Sequence, residues 1–252
     1  GGQAERDAIQ AVRGDVAGAD VTLGREAVED SLRRRPRGQS GHARIVAVKD
    51  GEAIGGQFGH TSVRMGNDIV TFPDFPAEIR APAGTRAGVS GYQLRFGSQE
   101  VLTAGDNYDA LVAFNPAALL TRLKGLKTNG ILIINTDKFQ QKDLNTAHCK
   151  TNPLEDSSLD KYQVFRVDMT RLTRAAVLES PLPAPLSTRE GDRCGNFFAL
   201  GMVCWLYQRS LEPTIQYIKA KFGKRAEIAE ANMRALKAGW VYCENTEAFV
   251  SS

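Results

Sequence analysis

From residue 44 onward, apolar positions fall in short β-branched runs that alternate with stretches of helical spacing. Ile45-Val46-Ala47-Val48 runs into Lys49-Asp50-Gly51, which predicts a strand closing on a turn. A helix could begin within Gly55–Met65, and Asp68–Phe72 is the second predicted strand. Gly91–Phe96 alternates apolar and polar, as a strand with one solvated face does. Asp109–Phe114 is continuously apolar after its first residue, the pattern of a parallel strand buried on both faces. Ala117, Leu119, Leu120 and Leu123 then recur at helical spacing over Pro116–Lys124. Gly130–Asn135 and Tyr162–Met169 supply two further predicted strands. This alternation predicts an α/β fold: a mostly parallel, Rossmann-like sheet with helices on both faces.

The pattern changes after Met169. Ser180-Pro181-Leu182-Pro183-Ala184-Pro185 reads as a connector into a C-terminal helical segment. Asn196–Arg209 is a strongly apolar helix, and Pro213 opens the next, where its missing N–H costs nothing. A last helix over Ala226–Ala238 is expected to end at Gly239 as its C-cap. Residues 243–252 read as a linker. Residues 1–43 carry two short helical patterns, Ala4–Arg13 and Arg25–Arg35, and a glycine-rich connector; they form an appendage without an assigned role. The expected organisation is therefore 1–43, a main domain over 44–242, and 243–252.

Composition narrows the function classes. With 252 residues, 42% hydrophobic and 24% charged, the chain has an ordinary globular composition. A net charge of +3 provides no strong electrostatic steer, and the Arg33-Arg34-Arg35-Pro36-Arg37 run lies close to Glu26, Glu29 and Asp30, as on a solvated helix end. Neither nucleic acid nor membrane is therefore expected as a partner. No signal-peptide pattern and no apolar run of ~18 residues is present. Cys149, Cys194, Cys204 and Cys243 form no CxxC pair, and His42, His60 and His148 have no metal-ligand spacing. These are the marks of free thiols, no metal site and a cytoplasmic, reducing setting.

Ligands of open parallel sheets bind beyond the carboxyl ends of the strands, so the loops leaving those ends are the places to look. Asp50–Gln57 carries glycines that suit either a structural turn or a phosphate cradle, without GxGxxG or P-loop spacing. The loop after Phe72 is stiffened by Pro73, Pro76 and Pro82 and carries Glu78, Arg80 and Thr85. Glu78 and Arg80 suit a surface ion pair, and Arg80 equally suits bidentate capture of a carboxylate or phosphate. Asn115 suits capping of the helix that Pro116 opens, or facing a ligand across the sheet edge. Asn135-Thr136-Asp137 has the same two readings. His148 beside Cys149 is not a nucleophile pair, because adjacent residues of an extended segment point to opposite faces. No complete catalytic constellation, and no catalytic residue, is present.

The segments GNDIVTFPDFPAEIRAPAGT, LTAGDNYDALVAFNPAAL, GILIINTD, TNPLE, NFFALGMVCWLYQRSLE, KF, EIAEANMRALKAGW and ENTEAF follow one another from Gly66 to Phe249. In that order they resemble the 2-oxoacid:ferredoxin oxidoreductases, and most closely the gamma-type domain of the 2-oxoglutarate enzyme's alpha subunit. The first loop departs from the family: only Asp50-Gly51-Glu52 and Gly55-Gly56 stand where a longer glycine-rich loop is usual. Residues 1–43 show no resemblance.

The resemblance implies a subunit of a thiamine-diphosphate-dependent enzyme that decarboxylates 2-oxoglutarate to succinyl-CoA, or runs the reverse carboxylation, exchanging electrons with ferredoxin. It implies coenzyme A at an edge of this chain, with Glu78, Arg80, Thr85 and Asn115 on a cofactor-facing rim. Thiamine diphosphate, Mg and [4Fe-4S] clusters would belong to a beta subunit or to the alpha subunit's thiamine-binding domain, which this chain would need as partners. Two other readings remain: a free-standing Rossmann-like module for acyl-CoA or a nucleotide, and the same family acting on pyruvate or another 2-oxoacid.

Overall fold

The computed structural model describes the backbone of residues 43–48, 68–74 and 91–97, and residues 107–178 and 181–246 with their side chains. The expectations for residues 1–42, the helix within Gly55–Met65 and the loop at Asp50–Gln57 lie outside the described residues, as do Glu78, Arg80 and Thr85. The chain divides into two compact units, the second beginning for the described residues at Leu172.

The first unit is built on one six-stranded sheet. Its strands are β1 (Ala43–Val48), β2 (Asp68–Asp74), β3 (Gly91–Gly97), β4 (Tyr108–Ala113), β5 (Leu126–Asn135) and β6 (Gln163–Val167). Their order is β2-β3-β1-β4-β5-β6. The pairs β1–β4, β4–β5 and β5–β6 are parallel, and β3 runs antiparallel to both β1 and β2. Reversal of β3 alone leaves every other strand pointing one way, so the fold is the mostly parallel α/β sheet that the sequence predicts.

Between the parallel strands lie helices α1 (Pro116–Arg122) and α2 (Gln141–Thr146). Leu111 and Ala113 of β4 and Leu132 and Ile134 of β5 form one core with Ala118, Leu119, Phe139 and Leu144. Ala110, Val112 and Ile133 point to the opposite face and are equally buried. The unbroken apolar run in β4 thus has the expected cause: neither face of this strand meets water.

β5 is longer than its apolar run because its pairing with β4 jumps from Tyr108–Leu126 to Ala110–Ile131. Lys127, Thr128 and Asn129 bulge out exposed, with Asn129 at φ 62° and its N–H donating to the carbonyl of Lys161 at 2.7 Å. Where the sequence suggests a strand to Met169, β6 stops at Val167 and helix α3 (Met169–Leu178) begins.

The second unit is helical: the greater part of α3, then α4 (Thr188–Arg193), α5 (Gly195–Leu206), α6 (Glu212–Phe222) and α7 (Ala226–Asn245). A capping box starts α4, in which Ser187 and Glu190 satisfy each other's backbone N–H groups. Pro213 sits in the first turn of α6, as expected. α5 ends at Leu206 in a Schellman motif, with Gln208 at φ 54° and the Arg209 N–H reaching the Cys204 carbonyl at 2.7 Å.

The expected end of the last helix at Gly239 is overturned. α7 continues to Asn245, and Gly239 lies inside it, where an added Cβ would overlap the Phe198 carbonyl of α5. Gly201 of α5 meets the Leu236 carbonyl of α7 in the same way. Both glycines let two helix backbones touch; neither ends a helix. Cys243, where the sequence predicts a linker to begin, is a helical residue with no exposed surface.

Candidate functional site

The chain leaves β1 toward β2 and β3 on one side and leaves β4 toward β5 on the other. That reversal puts the topological switch point between β1 and β4, and ligands of open α/β sheets bind in the crevice beyond the carboxyl ends there. Asn115 stands two residues past β4, at this edge. The loop after β1 lies outside the described residues.

The Asn115 backbone is extended (φ −157°, ψ 167°), and its side-chain oxygen accepts the Ala118 N–H at 2.8 Å. With Pro116 next in the chain, this is an N-cap, so the amide oxygen is committed to the helix. Asn115→Ala should cost about 1 kcal/mol of stability, read from urea unfolding, and Asn115→Asp should retain most of it because a carboxylate accepts the same bond.

One strand further along the same edge, Asn135, Thr136 and Asp137 do not cap their own short helical turn by side chain. They hold the start of α3 instead. The Asp137 carboxylate accepts the Arg171 N–H at 2.8 Å, and the Asn135 amide donates to the Thr170 hydroxyl at 3.0 Å. The Thr136 hydroxyl donates to Asp168, whose other oxygen takes the Arg171 guanidinium. Burial works against the charge of Asp168, but the Thr136 hydroxyl and Arg171 outweigh it and hold the carboxyl below its usual range. The result is a rigid polar rim at the carboxyl ends of β5 and β6. The Asn135 side-chain oxygen is buried there without a hydrogen-bond partner among the described residues.

Of the sequence candidates, only Asn115 is placed, and it is not brought together with Glu78, Arg80 or Thr85 by anything described. The rim at Thr136, Asp137, Asp168 and Arg171 is legible in the sequence only in part: Asn135-Thr136-Asp137 stands out as a strand exit, whereas its partners lie more than 30 residues away in sequence. His148 has a structural role: at φ 52° it is the left-handed residue of a Schellman motif that ends α2, with the Cys149 N–H on the Leu144 carbonyl at 2.9 Å.

The cysteines are free thiols. Burial, with the Glu190 charge adding to it, pushes Cys194 up to about 12. Burial does the same to Cys204, against a smaller opposing effect of Arg209. Cys243 is also pushed well up by burial. These thiols stay protonated, which makes them poor ligands and poor nucleophiles. Among the described residues, no group of three or more His, Cys, Asp or Glu side chains could hold a metal ion, and no helix is long and apolar enough to cross a membrane.

Residues 51–242 match the family described as pyruvate ferredoxin/flavodoxin oxidoreductase. The chain is 47% identical over 198 residues to the 2-oxoglutarate oxidoreductase subunit KorA of Mycobacterium tuberculosis, covering 79% of this chain and 30% of that protein. It thus spans less than a third of the length of this relative. Among solved structures, it superposes with a TM-score of 0.60 at 21% identity on the 2-oxoglutarate:ferredoxin oxidoreductase of Magnetococcus marinus, solved with 2-oxoglutarate, coenzyme A and succinyl-CoA bound, covering 81% of this chain and 31% of that one. The gamma subunit of a keto/oxoacid ferredoxin oxidoreductase from Geobacter sulfurreducens gives a TM-score of 0.52 at 17% identity, covering 79% of this chain and 93% of the subunit. At these identities, the structural likenesses establish the fold, and the sequence match over residues 51–242 establishes descent: the chain belongs to the pyruvate ferredoxin/flavodoxin oxidoreductase family.

Proposed function

We propose that this chain is the coenzyme A-facing and assembly domain of a 2-oxoglutarate:ferredoxin oxidoreductase. In the oxidative direction, such an enzyme releases carbon dioxide from 2-oxoglutarate, joins the remaining acyl group to the coenzyme A sulfur and passes the electrons to ferredoxin; in the reverse direction, it carboxylates. The observation that carries the reading is the 47% identity with KorA over 198 residues. That level of identity favours 2-oxoglutarate over pyruvate, and this chain would not be active alone.

Thiamine diphosphate, with its Mg, supplies the decarboxylation chemistry when bound, and iron-sulfur clusters carry the electrons. The thiols of this chain suit neither role: three of its four cysteines are pushed far up by burial. Its own contribution is to bind and orient. Arg80 would clamp a coenzyme A phosphate through paired N–H donors, oriented by Glu78, with the Thr85 hydroxyl as a further donor. Asn115 would frame the crevice by fixing the first turn of α1 at the switch point.

The test is reconstitution with a beta subunit and the remainder of the alpha subunit. The complex should reduce a one-electron dye only when 2-oxoglutarate and coenzyme A are both present, and Arg80→Ala should raise the KM for coenzyme A at least tenfold, as loss of a charge-assisted bond of about 1.5–3 kcal/mol requires. A monomer that binds acyl-CoA or nucleotide tightly without any partner would instead favour a free-standing binding module. An unchanged KM would reduce Arg80 to a surface ion pair.

A further inference from the structure

Asn129 and Gly130 form the only Asn-Gly pair in the chain, and they stand where the bulge of β5 returns to the sheet. The fold needs both residues. Asn129 has φ 62°, a left-handed backbone that asparagine tolerates better than most side chains do. An added Cβ on Gly130 would meet both the Lys127 carbonyl and the Leu126 side chain at 2.8 Å, so the position excludes larger residues.

The same pair is chemically labile. The backbone nitrogen that follows an asparagine can attack the side-chain carbonyl carbon, and a glycine there leaves the approach open because it has no Cβ. Asparagine belongs with the heat-labile residues through such chemistry. Here its side chain is within reach of water. Asn129 is exposed, and both bonds that it makes toward the start of β6 use its backbone: the N–H donates to the Lys161 carbonyl at 2.7 Å, and the carbonyl accepts the Gln163 amide at 3.1 Å. Gly130 precedes the Ala110–Ile131 and Ile131–Gln163 pairs, with which the two parallel ladders begin beyond the bulge.

We propose that Asn129 is a site of spontaneous deamidation in the folded chain, with water as co-reactant. The Gly130 nitrogen bonds to the Asn129 Cγ as the bond from Cγ to the amide nitrogen breaks, and ammonia leaves with the proton of the Gly130 N–H. Water then opens the cyclic imide at either carbonyl, giving aspartate or isoaspartate. One water is consumed and one ammonia released, with no change of oxidation state. Isoaspartate lengthens the main chain by a methylene where Asn129 ties the bulge to the start of β6, so its formation loosens that end of the sheet.

The test ages the full chain in mildly alkaline buffer, native and unfolded in urea. The tryptic peptide Thr128–Lys138 is then followed by mass spectrometry and by labelling with isoaspartyl methyltransferase, against a sample digested at time zero. In the native chain, Asn129 should lose its amide progressively and the peptide should take up label. Asn135 of the same peptide, 3% exposed and with its amide nitrogen bonded to Thr170, should stay intact. Asn129→Gly, which adopts a φ of 62° without strain, should abolish the label. A native chain that keeps Asn129 while the unfolded chain converts it would overturn the proposal and make the bulge a protecting structure. Label that persists in Asn129→Gly would also overturn it, by placing the modification elsewhere.

Discussion

Gly239→Ala is expected to unfold the C-terminal helical unit under conditions in which the wild-type chain remains folded. The added methyl would be driven into the Phe198 carbonyl, and Gly201→Ala would meet the Leu236 carbonyl with the Trp240 N–H group 2.9 Å away. Both obstacles are helix backbone, which cannot swing aside as a flexible side chain can. Relief requires α5 and α7 to part, and α5 is buried nearly all round, with Phe198, Leu200 and Met202 at 0% exposure. Overpacking typically costs about 1–3 kcal/mol, and a clash with backbone on both helices belongs at or above the top of that range. Gly195→Ala is the control. Its nearest neighbour would be the Thr173 hydroxyl at 3.7 Å, an ordinary contact, and alanine in a helix should be neutral or stabilising by up to about 1 kcal/mol. Trp205 and Trp240, the only tryptophans in the chain, both lie in this unit, so tryptophan fluorescence during urea unfolding reads it selectively. Variants of Gly201 and Gly239 as stable as the Gly195 variant would refute the backbone contact.

Leu132→Ala should have the second largest effect, confined to the sheet. Leu132 is 0% exposed in β5 and faces the core formed with Ala118, Leu119, Phe139 and Leu144. Truncation removes buried methyl groups and leaves a cavity that paired strands cannot collapse to fill, which costs about 2–5 kcal/mol. Far-UV circular dichroism during urea unfolding should show a lower midpoint with an unchanged slope. The neighbouring Ile131, near the start of the apolar run, is only partly buried, so Ile131→Ala should cost distinctly less. Similar losses at the two positions would mean that Ile131 is sealed as completely as Leu132.

Much of this was readable from local pattern. The apolar runs at Ile45–Val48, Asp109–Phe114 and Gly130–Asn135 became β1, β4 and β5, and in β4 and β5 the run is unbroken because both faces of the strand are covered. Pro116 after Asn115 fixed the start of α1, since a proline and a capping amide act within a few residues of each other. Ser187-Thr188-Arg189-Glu190 carries a signal of the same local kind, the capping box that starts α4. The family, too, was written in ordered motifs.

The failures share a cause: the partner lay far away in sequence. Gly239 has the composition of a helix end, and only the approach of Phe198 from α5 turns it into a contact point. Met169 continues an apolar strand by pattern, yet Asp137, reaching from the end of β5, caps the helix that Met169 begins. Sequence by itself determined which segments become strands and helices, because hydrophobic period and capping are properties of neighbouring residues. Tertiary structure alone decided strand order, the switch point beside Asn115, the glycine contact between α5 and α7 and the unmatched oxygen of Asn135. Each of these depends on which distant backbone arrives alongside, and no local pattern carries that information.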